Sequence, residues 1–118
     1  MRINEVDFGS GSQVDGYGPG FFRVDGTVIE GGALILPGAT SKWAGYEALQ
    51  PIIAAADDID FLIVGTGDEI AHPPAEFRRA LESAGIGVEP MASAPACRTY
   101  NVLLSEGRRV GAALLPVS

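Results

Sequence analysis

The chain has 118 residues, 47% of them hydrophobic, and a formal net charge of -7, which suits a single packed domain and is too short for two cores. The acidic balance argues against a grip on nucleic acid or anionic lipid, since such binding rests on clustered Lys and Arg. Lys42 is the only lysine, Arg78-Arg79 and Arg108-Arg109 are isolated pairs, and the lone Cys97 excludes an intrachain disulfide.

From the N-terminus, Met1 to Asp7 places acids where a secretory or transit peptide would be basic and then apolar. No run approaches the ~18 uncharged apolar residues of a membrane span. These features lead us to expect a soluble, cytoplasmic protein with no membrane insertion. Dense Gly and Pro punctuation from Gly9 to Gly38 then separates short apolar runs, and it predicts strands over Phe21–Val24, Thr27–Ile29 and Ala33–Leu36. Asp25-Gly26 is a two-residue hairpin turn, because both residue types tolerate positive φ. This first third reads as a β-meander layer. The Gly16-x-Gly18-Pro19-Gly20 run is turn chemistry, since no helix start and no Lys-Ser/Thr follows it as in a phosphate loop.

After Trp43 the apolar spacing becomes helical. Tyr46, Leu49, Ile52 or Ile53, and Ala56 share one face, and Pro51 is tolerated only in a first turn, so the helix is placed at Leu49–Ala56. Ile59–Val64 is an apolar strand covered on both faces. Pro73-Pro74 introduces a helix over Ala75–Ala84, ended by Gly85. A short strand follows at Gly87–Glu89. Ser93-Ala94-Pro95 caps a third helix, Pro95–Ser105, with Ala96, Tyr100, Leu103 and Leu104 as its buried stripe, and Arg109–Leu115 is a central strand. Strand–helix–strand crossovers of this kind are right-handed and give a partly parallel sheet with helices packed on it.

The Ile63-Val64-Gly65-Thr66-Gly67 turn, the Ala96-Cys97-Arg98-Thr99-Tyr100-Asn101 helix start and the Glu106-Gly107-Arg108 to Pro116 strand resemble one uncharacterised domain family. The similarity extends back through Tyr17-Gly18, Phe22 to Gly26 and Leu36-Pro37 to Trp43. That family includes the mitochondrial NADH:ubiquinone oxidoreductase complex assembly factor 3 and many short bacterial proteins. The resemblance implies a three-layer α/β domain with a central mixed β-sheet, helices packed on it and the N-terminal β-meander as a further layer. It implies no enzymatic activity or cofactor, and it points to a bacterial member, because the mitochondrial targeting extension is not seen. An assembly role comes with the resemblance by analogy.

Candidate chemistry centres on Gly65-Thr66-Gly67-Asp68, where the carboxyl end of a strand meets a loop, the usual place for ligands in α/β sheets. Backbone N–H groups there, with Thr66, would suit an anion; without Gly-x-Gly-x-x-Gly spacing, a tight structural turn is the favoured reading. Thr99 and Asn101 are either pocket-lining donors or structural ties from helix to loop, with the Gly65–Asp68 turn as a suggested partner. Cys97, near a helix start and beside Arg98, is read as a core cysteine; a catalytic pair with His72, the only histidine, is the alternative. One His and one Cys do not make a metal site. Trp43, with Tyr46 beside it, is either a lid over the β-layer or an exposed anchor for a partner. Two readings follow: a non-catalytic protein that binds a protein partner, alone or as a homo-oligomer, or a small-molecule binder or enzyme built on Gly65–Asp68 with Thr99 and Asn101.

Overall fold

The computed structural model describes residues 11–118. Its elements run β1 (Val14–Gly18), β2 (Phe21–Val24), β3 (Thr27–Glu30), β4 (Gly32–Leu36), β5 (Ala39–Trp43), α1 (Gln50–Ala54), β6 (Phe61–Thr66), α2 (Ala75–Ser83), β7 (Gly87–Met91), α3 (Ser93–Ser105) and β8 (Val110–Leu115). The central sheet is five-stranded in the order β5-β4-β8-β6-β7, and a three-stranded antiparallel sheet has the order β1-β2-β3. Strand β6 is parallel to both β7 and β8, whereas β4 is antiparallel to both β5 and β8. The sheet is therefore mixed, as expected, and the two apolar runs that define it lie side by side.

Alternation along the central strands divides the interior in two. Ala33 and Ile35 of β4, Ile63 of β6, and Ala112 and Leu114 of β8 face one way, where they pack with Phe22, Val24, Ile29, Ala96, Cys97, Tyr100 and Leu104. That side is roofed by α3 and the small sheet. Leu34, Leu36, Leu62, Val64 and Ala113 face the other way, against Ile52, Phe77, Leu81, Ile86 and Trp43. That side is roofed by α1 and α2. Successive side chains of a strand point to opposite faces, so a strand roofed on both sides must be apolar where it is covered, as β4 and the Phe61 to Gly65 stretch of β6 are.

The structure corrects the N-terminal reading in three places. Ala33–Leu36 does not belong to the meander: all of β4 is buried, and it sits between β5 and β8 in the central sheet. Its place in the small sheet is taken by β1, whose sequence VDGYG carries too little apolar pattern to be legible as a strand. Strand β5, ATSKW, is exposed at every position but Trp43 and forms one edge of the central sheet. The Asp25-Gly26 hairpin is as expected, with φ of 49° and 83° joining β2 to β3.

The placement of β4 has a direct test. Leu34 and Ile35 are adjacent and point into different cores. Leu34→Ala and Ile35→Ala should each destabilise the fold by about 2–5 kcal/mol, the usual cost of truncating a buried aliphatic, read from urea unfolding. A strand in an outer layer with one wet face would show a large loss for only one of the two.

Candidate functional site

The Gly65–Asp68 turn leaves the end of β6 and is held by groups distant in sequence. Gly65 has no room for a side chain: a Cβ there would lie 2.7 Å from the Ser93 hydroxyl oxygen and 2.9 Å from a Leu114 methyl, so glycine lets α3 and β8 close against β6. Gly67 has φ +99°, which L side chains rarely adopt. The Gly67 N–H donates to Ser93 Oγ at 2.9 Å, and the Ser93 hydroxyl donates to the Leu115 carbonyl at 2.6 Å. The Ser93 N–H in turn donates to the Gly67 carbonyl at 2.8 Å. Ser93 is 0% exposed. The residue expected to cap α3 is instead its first helical residue and spends its side chain on the turn.

Thr66 and Asp68 are occupied in the same way. The Thr66 hydroxyl has one proton, and the carbonyl of Glu69 at 2.7 Å takes it in preference to that of Met91 at 3.2 Å; its oxygen accepts the Ala71 N–H at 3.1 Å. The exposed Asp68 carboxylate accepts from the Ser118 N–H at 2.9 Å and the Ser118 hydroxyl at 2.6 Å, and these bonds hold its pKa below the usual carboxylate range. The Gly67 N–H and the Thr66 hydroxyl, the donors that would greet an anion at this strand end, are thus already paired within the protein, and the Asp68 carboxylate beside them would repel one.

Asn101 and Thr99 do not meet at this turn. Asn101 forms a two-point clasp with Val14, its Oδ1 accepting the Val14 N–H and its Nδ2 donating to the Val14 carbonyl, both at 2.8 Å. The expected helix-to-loop tie is made to β1 instead of to Gly65–Asp68. The clasp satisfies backbone groups on the side of β1 that faces away from β2, its one strand neighbour among the described residues. Next to it, the buried Tyr100 hydroxyl donates to the Ser12 carbonyl at 2.8 Å. Thr99, half-buried, lines a shallow groove of about 290 Å³ beside α3, together with Phe61, Met91, Leu103, Glu89 and Arg108.

Trp43 is the lid of the two alternatives. It is 4% exposed, its ring meets Tyr46 edge-on with centroids 5.5 Å apart, and Tyr46 meets Phe77 at 4.9 Å. The indole N–H donates to the Ala48 carbonyl at 3.3 Å. Trp43 therefore belongs to the core under α2 and is not an exposed anchor, while half-buried Tyr46 reaches the surface beside it. Cys97 is 6% exposed and burial pushes its thiol up to about 11, which leaves it almost wholly protonated at neutral pH. Among the described residues no group of three His, Cys, Asp or Glu is arranged to hold a metal ion, and no helix is long and apolar enough to cross a membrane.

Sequence reasoning missed Ser93 as a joint and Val14 as the partner of Asn101. The signal for Ser93 was its position two residues before Pro95, in a first helical turn where its own hydroxyl is free to bond elsewhere.

The buried acids give a pH signature. Cys97 has a folded pKa of about 11 against an ordinary 9.0, and burial raises Tyr100 above its ordinary 10.0. For a group whose folded pKa is raised, the stabilisation is full below the unfolded pKa and is lost as pH climbs toward the folded one. Stability should therefore fall from about pH 9 upward, as urea midpoints across an alkaline series would show, and Cys97→Ala should flatten the first part of that fall. At pH 8 a thiol reagent should label native Cys97 roughly 100-fold more slowly than the unfolded chain, given the difference in thiolate fraction. Equal rates would place the thiol in an open, activated site.

Comparison with known proteins places this architecture. Residues 14–115 match the family described as "Protein of unknown function (DUF498/DUF598)". An uncharacterised protein of Rhodobacter capsulatus is 50% identical over 117 residues, which covers 99% of this chain and 94% of that one. The NADH dehydrogenase [ubiquinone] 1 alpha subcomplex assembly factor 3 of Danio rerio is 31% identical over 123 residues, covering 98% of this chain and 71% of that protein. Among solved structures, an outer membrane protein from Bartonella henselae superposes with a TM-score of 0.85 at 31% identity, covering 95% of this chain and 100% of that chain. The chain belongs to the DUF498/DUF598 family, and assembly factor 3 proteins are its more distant relatives.

Proposed function

We propose that this protein acts by contact, binding other proteins while a larger complex is assembled, and that it does not turn over a substrate. The observation that carries this reading is the relationship to an assembly factor 3 protein across 98% of the chain. The geometry supports it from another direction. At the strand end where α/β proteins usually hold ligands, the Gly67 N–H, the Thr66 hydroxyl and the Asp68 carboxylate are all taken up by Ser93, by nearby backbone and by Ser118. The single thiol of the chain, Cys97, is buried and protonated, so the nucleophilic half of a Cys–His mechanism is disfavoured. What the protein offers a partner is its surface. The reading extends to respiratory complex assembly, because that is what the relative's name specifies.

Deleting the gene in the native host tests this. Intact NADH:ubiquinone oxidoreductase, resolved on native gels of detergent-solubilised membranes, should fall and smaller subassemblies should accumulate, with recovery when the gene is returned on a plasmid. A tagged copy crosslinked in cells should enrich subunits of those subassemblies over an unrelated tagged protein. Normal amounts of the complex, with none of its subunits crosslinked, would contradict the reading.

A further inference from the structure

Helix α3 covers only part of its face of the central sheet. It lies over β6 and β8, the small sheet packs beyond it toward β4, and the described residues leave open the strip over the edge strand β7. That strip is the groove of about 290 Å³ between α3 and the β6–β7 pair. Its floor is apolar, from Phe61 and Met91, and its wall is Thr99 and Leu103, one helical turn apart on α3. Arg108 stands at the Phe61 end, with its guanidinium 5.2 Å from the ring centroid. Glu89 stands along the rim, opposite Ile63 in the β6–β7 register. Both are exposed, and no ion pair joins either to another described residue. On the ridge of α3 next to this groove, Val102 is 49% exposed.

We propose that this face is a two-fold interface between copies of the chain, in which Val102 of each copy enters the groove of the other and Arg108 of each pairs with Glu89 of the other. A two-fold contact uses one patch twice, so the patch must complement itself in both shape and charge. Here an apolar knob lies beside an apolar hollow, and one cation lies beside one anion. A surface shaped for a strongly acidic or basic foreign partner would carry a single sign. An added strand is disfavoured as occupant, because Pro90 deprives the β7 edge of a ladder donor. Repulsion between copies, each of formal charge -7, is screened beyond about 8 Å at physiological salt, while pairs in contact persist. The small groove argues for a reversible dimer. This inference is independent of the assembly reading, which stands whether or not the chain self-associates.

Sedimentation velocity across a micromolar to millimolar concentration series at physiological salt tests it, with far-UV circular dichroism confirming that each variant is folded. The wild type should pass from monomer to dimer, and Val102→Asp should weaken the dimer about tenfold or more. Arg108→Glu alone and Glu89→Arg alone should each be monomeric, since each brings like charges together. An equimolar mixture of these two variants should dimerise again, because every cross pair is then opposite in sign. A wild type that stays monomeric throughout, a dimer indifferent to Val102→Asp, or single-charge variants that do not recover on mixing would each overturn the proposal, and the first would leave the groove to a foreign protein.

Discussion

The hydroxyl of Ser93 is the joint on which the central sheet closes. One oxygen accepts the Gly67 N–H and one proton goes to the Leu115 carbonyl, so a single side chain at the start of α3 fixes the ends of β6 and β8, which are parallel neighbours. Such a bond contributes about 1 kcal/mol net when made, and a buried group left without a partner costs about 1–3 kcal/mol. The glycine at position 65 belongs to the same joint, because any side chain there would strike Ser93. Small residue, hydroxyl and turn form one unit.

That unit explains why a place suited to a ligand behaves as part of the scaffold. Hydrogen-bonding capacity is finite: a hydroxyl has one proton to give, and an N–H one bond. At the end of β6 the protein spends these groups on itself. The same economy holds at the N-terminal end of the described residues, where Asn101 and Tyr100 tie the segment around Ser12 and Val14 to α3. Polar side chains on α3 thus hold the small sheet and the central sheet in one body.

How much of this was legible follows from where the information lies. Strands β6 and β8 are short, largely apolar runs buried on both faces, so local pattern alone identified them as buried strands of one sheet, while their pairing as neighbours belongs to the structure. Strand β4 carries the same signal, but its proximity in sequence to β2 and β3 suggested a meander, and chain order prevailed over burial pattern in that reading. Strands β1 and β5 are an edge of each sheet, with glycine in one and exposed polar residues in the other, so neither has the alternation of a half-buried strand. Asn101 was recognisable as a tie, because an amide in a helix interior competes for backbone bonds, whereas its partner 87 positions away was not. Ser93 was legible as a helix-start residue, and its role across 26 positions belongs to the tertiary structure.

The central claim, that the Gly65–Asp68 turn is a structural joint, is tested most directly by amide-resolved hydrogen exchange at Gly67. In the native protein this N–H should be strongly protected, and inorganic phosphate should leave its exchange and its chemical shift unchanged. In Ser93→Ala, with its acceptor removed, protection at Gly67 should fall by at least about tenfold more than the global loss of stability explains, given that 1.4 kcal/mol is a factor of ten. A Gly67 amide that exchanges freely in the native protein and becomes protected on adding phosphate would contradict the account and make the turn an open anion site.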